Sequence, residues 1–304
     1  MIAILEELQN FSKLGETLAL TAALVWAIGI ILFRISGRVV HPLGLNLFKN
    51  VFTLPFIVAL SLLLGESLLP NLGTKSYLMM FLSGAIGIGV SDTLLFASLN
   101  RLGAGLSAIV NCTYSPFIIA FSWIILGERM LLIQLAGTAL IISAVLTVSQ
   151  KKMNASIPRR NLIQGILLGI AAMGLNGIAV VMMKSILDES PLLWTVIVRL
   201  LGGILILWGF IHFHPRRRGI WKETLNAANW HVMIPASFFG SILGFILWTG
   251  GMKYIQASEA SALNQMHTIF IFFLGIIFLK EKASTLRLAA LFLAVIGAVL
   301  VTLP

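Results

Sequence analysis

A carboxylate at Asp92, cations at Lys49 and Arg199 and an imidazole at His267 stand inside stretches of sequence that are otherwise apolar. With them stand the amides of Asn111, Asn176 and Asn264 and the indole of Trp26. An ionised side chain at the centre of an apolar helix costs about 2.5–3.5 kcal/mol on insertion scales, so each such group needs a partner or a use. Two kinds of chemistry fit this set. One is binding of a small polar molecule through charge and amide hydrogen bonds; the other is proton exchange at the carboxylate or imidazole.

Asp92 lies between Gly89-Val90-Ser91 and Thr93-Leu94-Leu95, small and hydroxyl neighbours that could line a polar path. The structural alternative is a hydrogen bond to a neighbouring helix. Lys49 and Arg199 could pair with Asp92, attract an anion, or snorkel toward headgroups. Asn111 and Asn264 could border one cavity or join helices by hydrogen bonds. His267, three residues after Asn264, shares its helical face and is a proton-relay candidate. Glu259 and Gln265 add to the polarity of that helix, and Asn176 and Trp26 are further pocket candidates. Trp248 and Tyr254 read as interfacial or packing residues, and Met182, Met183 and Met266 read as core filling.

Helices in lipid must position these groups. Of 304 residues, 59% are hydrophobic and 11% charged, where a soluble domain averages about half and about a quarter. Apolar runs long enough to cross a bilayer, about 20 residues each, occupy 17–34, 43–64, 77–98, 104–126, 131–149, 162–183, 191–211, 232–252, 258–279 and 285–303. The expected fold is all-α and integral to the membrane. The runs are continuously apolar, as across 131–148, whereas a membrane β-barrel alternates in segments of about ten residues. The first sixteen residues hold Glu6, Glu7 and Glu16 against Lys13, so no cleaved leader is expected and the first helix serves as insertion signal. The single cysteine, Cys112, has no internal disulfide partner and falls in the fourth run.

The halves repeat. The run Leu126-Gly127-Glu128-Arg129 corresponds to Leu279-Lys280-Glu281-Lys282 at an offset of 153, which also pairs Asn111 with Asn264. An offset of 150 pairs Arg34 with Lys184 and Lys49 with Arg199. The expectation is two five-helix repeats, 1–150 and 151–304, joined by a polar hinge over 150–160. An odd helix number per repeat inverts the second copy, an architecture that allows alternating access around a midplane site. Gly84, Gly87, Gly89, Gly165, Gly169, Gly202, Gly203, Gly240 and Gly244 would let helices approach closely. Glu128 and Glu281 stand at helix ends, where they could accept backbone amides of the following helix or pair with Arg129 and Lys282.

This pattern resembles the drug/metabolite transporter superfamily, specifically its EamA-like ten-helix exporters. Carrying the resemblance are residues 108–126 with Ser115-Pro116-Phe117, then Gly127-Glu128-Arg129 and Gln134-Leu135-Ala136-Gly137-Thr138-Ala139-Leu140; in the second copy they are 257–279, Glu281 and 288–301. The second copy departs from the pattern at Ile269, where the first has Pro116, and at Lys280, where the first has Gly127. The resemblance implies a secondary transporter, an exporter of a small metabolite or toxic compound across the cytoplasmic membrane, without nucleotide, metal or other cofactor. Expected partners are a small-molecule substrate, protons as candidate coupling ion, and the lipid bilayer.

A channel, a membrane scaffold and a membrane enzyme are the alternatives. Neither a His-Glu-x-x-His, a Gly-x-Ser-x-Gly nor a phosphate-loop motif occurs, and the five histidines are scattered, so no catalytic residues are expected. The formal charge of +10 does not point to nucleic acid, because the basic residues sit in short loops. Loops after odd-numbered helices hold fourteen Lys and Arg against five on the other face. Positive-inside bias therefore puts the odd loops in the cytoplasm and both termini outside, while the resemblance implies cytoplasmic termini.

Overall fold

The computed structural model describes residues 13–126, 131–149, 157–255, 263, 266–281 and 284–302, and among them every regular element is helical. The apolar helices are α1 (Leu14–Ser36), α2 (Pro42–Leu64), α3 (Thr74–Leu102), α4 (Ala104–Asn111 and Tyr114–Leu126), α5 (Leu132–Ser149), α6 (Arg159–Leu187), α7 (Leu192–His212), α8 (Trp230–Tyr254), α9 (Met266–Leu279) and α10 (Thr285–Thr302). Seven are long and apolar enough to cross a membrane, whereas α5, α9 and α10 are shorter as described. Leu63, Leu132, Trp208 and Ile277 stand exposed on the outer surface, which suits lipid and not water.

Local departures from regular helix concentrate in the middle of the bundle. The fourth run is expected as one helix over 104–126, but it breaks at Cys112 and Thr113. Pro116 supplies the reason, since it has no N–H to return to Cys112 and its ring crowds the preceding turn. The ladder resumes with Ser115 N–H donating to the Cys112 carbonyl and Phe117 N–H to that of Thr113. Two further departures are π-helical, at Ala85–Ser91 within α3 and Phe238–Leu243 within α8. They begin 153 residues apart, the offset of the repeat. Carbonyls loosened in α3 are served by Asn46 of α2, whose Nδ2 donates to Ile88 O and Gly89 O. The loop over 212–231 contains a short helix, Arg217–Leu225.

The main packing partners belong to opposite halves. α1 lies against α8 and α9 as α6 lies against α3 and α4, while α2 packs on α7 and α5 on α10. Glycine makes the crossings close. A Cβ on Gly84 would collide with the Arg199 backbone, and one on Gly29 with that of Gly240. Ser83, Ser91 and Ser98 donate from one face of α3 to the carbonyls of Ala179, Ala172 and Gly165 in α6.

Carboxylates clamp helix starts across the halves, where free N–H groups and the helix dipole favour negative charge. Glu66, just past α2, accepts from Leu193 N at the start of α7 (2.9 Å). Glu223, past α7, accepts from His41 N at the start of α2 (2.9 Å). Burial, then the neighbouring His214, holds the His41 imidazole below its usual pKa, consistent with its Nδ1 accepting from Leu43 N. Glu281 accepts from Ala104 N (2.7 Å) and Gly105 N (2.9 Å). The sequence reading gave Glu281 the following helix; the observed target is α4, because chain reversal after α9 brings Glu281 back over that helix start. Glu128, Arg129 and Lys282 lie outside the described residues.

Candidate functional site

Near the break in α4 the helices leave a cavity lined by Trp26 and Ile30 of α1, Leu95 of α3, Asn111 and Tyr114 of α4, Met173 and Asn176 of α6, Trp248 of α8 and His267 of α9. Its volume, about 40 Å³, suits about one water molecule, whose share of the liquid is about 30 Å³.

The lining has an internal order. Trp26 and Asn176 are related by the offset of 150, and Leu95 and Trp248, as well as Tyr114 and His267, by that of 153. Corresponding helices α1 and α6, α3 and α8, α4 and α9 thus turn corresponding residues toward one space. The chemistry of each pair differs across it. Trp26 meets Trp248 edge to face, with centroids 6.2 Å apart, and stacks on His267 at 6.3 Å. Those rings form an aromatic wall around the amides of Asn111 and Asn176. Asn111 Oδ1 is buried without a hydrogen-bond partner among the described residues, an acceptor with its desolvation unrepaid.

Of the eight residues singled out from sequence, Trp26, Asn111, Asn176 and His267 meet here. Asn264 lies outside the described residues, as do Glu259 and Gln265. Asp92 does not line this cavity. It pairs with Lys49 at 2.5 Å, with side chains 16% and 3% exposed. Lys49 is therefore buried and not snorkelling, and its ammonium also sits 5.5 Å from the ring centroids of Phe96 and Phe245. The π-helical segment explains this aim: the Asp92 N–H reaches back five residues to Gly87 O, and one extra residue in a turn rotates all that follows by about 100°.

Arg199 of α7 is 8% exposed and makes no ion pair among the described residues. Its Nη1 donates to Met183 Sδ at 2.8 Å, so Met183 is more than filling. Its Nε has no hydrogen-bond partner among the described residues. Arg199 does not line the cavity, but a Cβ on Gly87, besides meeting the Ala179 methyl, would lie within 4 Å of both Arg199 Nη2 and the cavity amide Asn176 Oδ1.

Sequence reasoning missed Tyr114 and assigned Trp248 to packing or the interface; it is buried at the cavity wall. Both were within reach of the repeat offset, since Tyr114 is the counterpart of His267. Among the described residues no three His, Cys, Asp or Glu side chains assemble as a metal-ligand set.

The sequence pattern of the EamA-like transporter family matches the chain twice, over residues 13–150 and 163–303. The chain belongs to that family. This EamA-like protein is thus a transporter of the drug/metabolite superfamily and a multi-pass protein of the cell membrane. It is 24% identical to an uncharacterized transporter of Archaeoglobus fulgidus, covering 94% of this chain and 97% of that one. It is also 24% identical to a probable amino-acid metabolite efflux pump of Salmonella typhimurium, covering 94% of each. A solved crystal structure superposes with a TM-score of 0.70 at 18% identity, over 94% of this chain and 95% of that one. That likeness concerns the fold alone.

Proposed function

We propose that this EamA-like transporter is a secondary active carrier of ten transmembrane helices in two inverted repeats, 1–150 and 151–304, that exports a small metabolite by alternating access around the central cavity. One observation carries the reading: repeat-related residues of α1 and α6, α3 and α8, α4 and α9 face one cavity. Two packings related by exchange of the halves have similar energy, so the same site can open to either side in turn. Trp26, Asn111, Asn176 and His267 contact the solute, His267 is the candidate proton carrier, and Lys49, Asp92 and Arg199 form the charged flank. The name of the Salmonella relative favours amino-acid metabolites as the first solutes to test.

The test is counterflow in proteoliposomes. Vesicles loaded with one unlabelled amino acid at a time are diluted into trace label of the same compound. A carrier accumulates label transiently above equilibrium for at least one solute, and the accumulation saturates. Label that only equilibrates, without overshoot, identifies a channel, and its exclusion across the panel opposes transport of this class.

A further inference from the structure

Among the described residues the membrane-spanning core has an unmatched charge. Lys49, Asp92 and Arg199 sum to one positive charge, and Lys49 already holds Asp92 directly. Arg199 is more than nine-tenths buried, sees Asp92 only at longer range, and turns Nε to no partner among the described residues. Its one polar contact among the described residues is a thioether, a weak acceptor. A guanidinium in such a setting is costly unless a planar anion completes its fork of donors.

The missing anion has a place to come from. Arg199 Nη2 and Asn176 Oδ1 both lie within 4 Å of the point where a Cβ on Gly87 would stand, against the Ala179 methyl, and Asn176 lines the cavity. We propose that Arg199 anchors the carboxylate of a solute that carries one anionic group and whose apolar part lies between Trp26 and Trp248, with Asn111 Oδ1 accepting from a solute N–H where it has one. This rests on the carrier reading and gives it a substrate class. Charge count selects a carboxylate over a phosphate monoester, which brings nearly two negative charges to a site with one spare cation. The described lining contains no carboxylate, so a purely cationic solute finds no counter-ion there.

Purified full-length protein is titrated with 3-phenylpropanoate, 3-phenylpropanamide, L-phenylalanine, L-phenylalaninamide and phenyl phosphate, reading tryptophan fluorescence because Trp26 and Trp248 line the cavity. Each acid should half-saturate at a concentration about 10-fold or more below its amide, the scale of one buried charged contact. In Arg199→Gln the acid and its amide should become equivalent, and Arg199→Lys should keep part of the preference. The acid and amide pair on the unaltered protein decides the charge preference even if a variant fails to fold. Equal binding of acids and amides, retention of the preference in a folded Arg199→Gln, or tightest binding of phenyl phosphate would overturn the proposal. Lack of response to every probe would also overturn it, while counterflow of other solutes would still stand as evidence for the carrier.

Discussion

Asp92→Asn is expected to lower the unfolding free energy by about 3–5 kcal/mol, the range for removing one partner of a buried ion pair, and to reduce counterflow in parallel. Among the described residues Lys49 has no alternative anion: its side chain is 3% exposed and its ammonium otherwise faces the rings of Phe96 and Phe245. Among the described residues the neutral amide leaves two cations unmatched in the core where one stands now. Removing both charges, with Lys49→Met and Asp92→Asn together, should restore most of the loss, because apolar packing replaces a buried pair with little net change. The four proteins form a double-mutant cycle, measured by thermal unfolding in detergent. Additive losses would show that the pair is not coupled.

Glu281→Ala should cost a further large share of stability, about 1.5–3 kcal/mol for each charge-assisted hydrogen bond removed. Its two oxygens accept from Ala104 N and Gly105 N at the start of α4. Gly103 holds the chain at φ +82° beside the carboxylate, where any Cβ would lie 2.7 Å from Oε1. Arg34 and Arg287 feel the Glu281 charge as well, so its loss also leaves those cations less balanced. Glu281→Gln keeps an acceptor and the length of the side chain, and should fall between the two. A Glu281→Ala protein that melts with the unaltered one would mean that the α4 start is held by other contacts.

The positions of the helices were readable because a bilayer admits few solutions: apolar runs of the right length separate cleanly from basic loops. The interruption at Cys112 and Thr113 was not read, although Pro116 stood in plain sight, because a proline within an apolar run is compatible with either a kink or a break. For the site, residue types were informative and directions were not. Trp26, Asn111, Asn176 and His267 do meet, yet Asp92 turns to Lys49, since a π-helical turn leaves no periodicity from which to count its phase. Trp248 looked like any aromatic near a membrane face until its counterpart Leu95 was seen across the same space. Glu281 caps a helix 177 positions back in the chain, a pairing that local spacing cannot carry.

Accessibility of the cavity from the two sides of the membrane tests the account most directly. Asn176→Cys is placed in a Cys112→Ala background, Cys112 being the sole native cysteine and fully buried. An impermeant thiol reagent is then applied to right-side-out and to inside-out vesicles during counterflow. Alternating access around this cavity predicts modification from either side, loss of counterflow on modification, and slower labelling when the transported solute is present. Modification from neither side while counterflow continues, or modification that leaves counterflow unchanged, would contradict a transport path through the space between Trp26, Asn176 and Trp248.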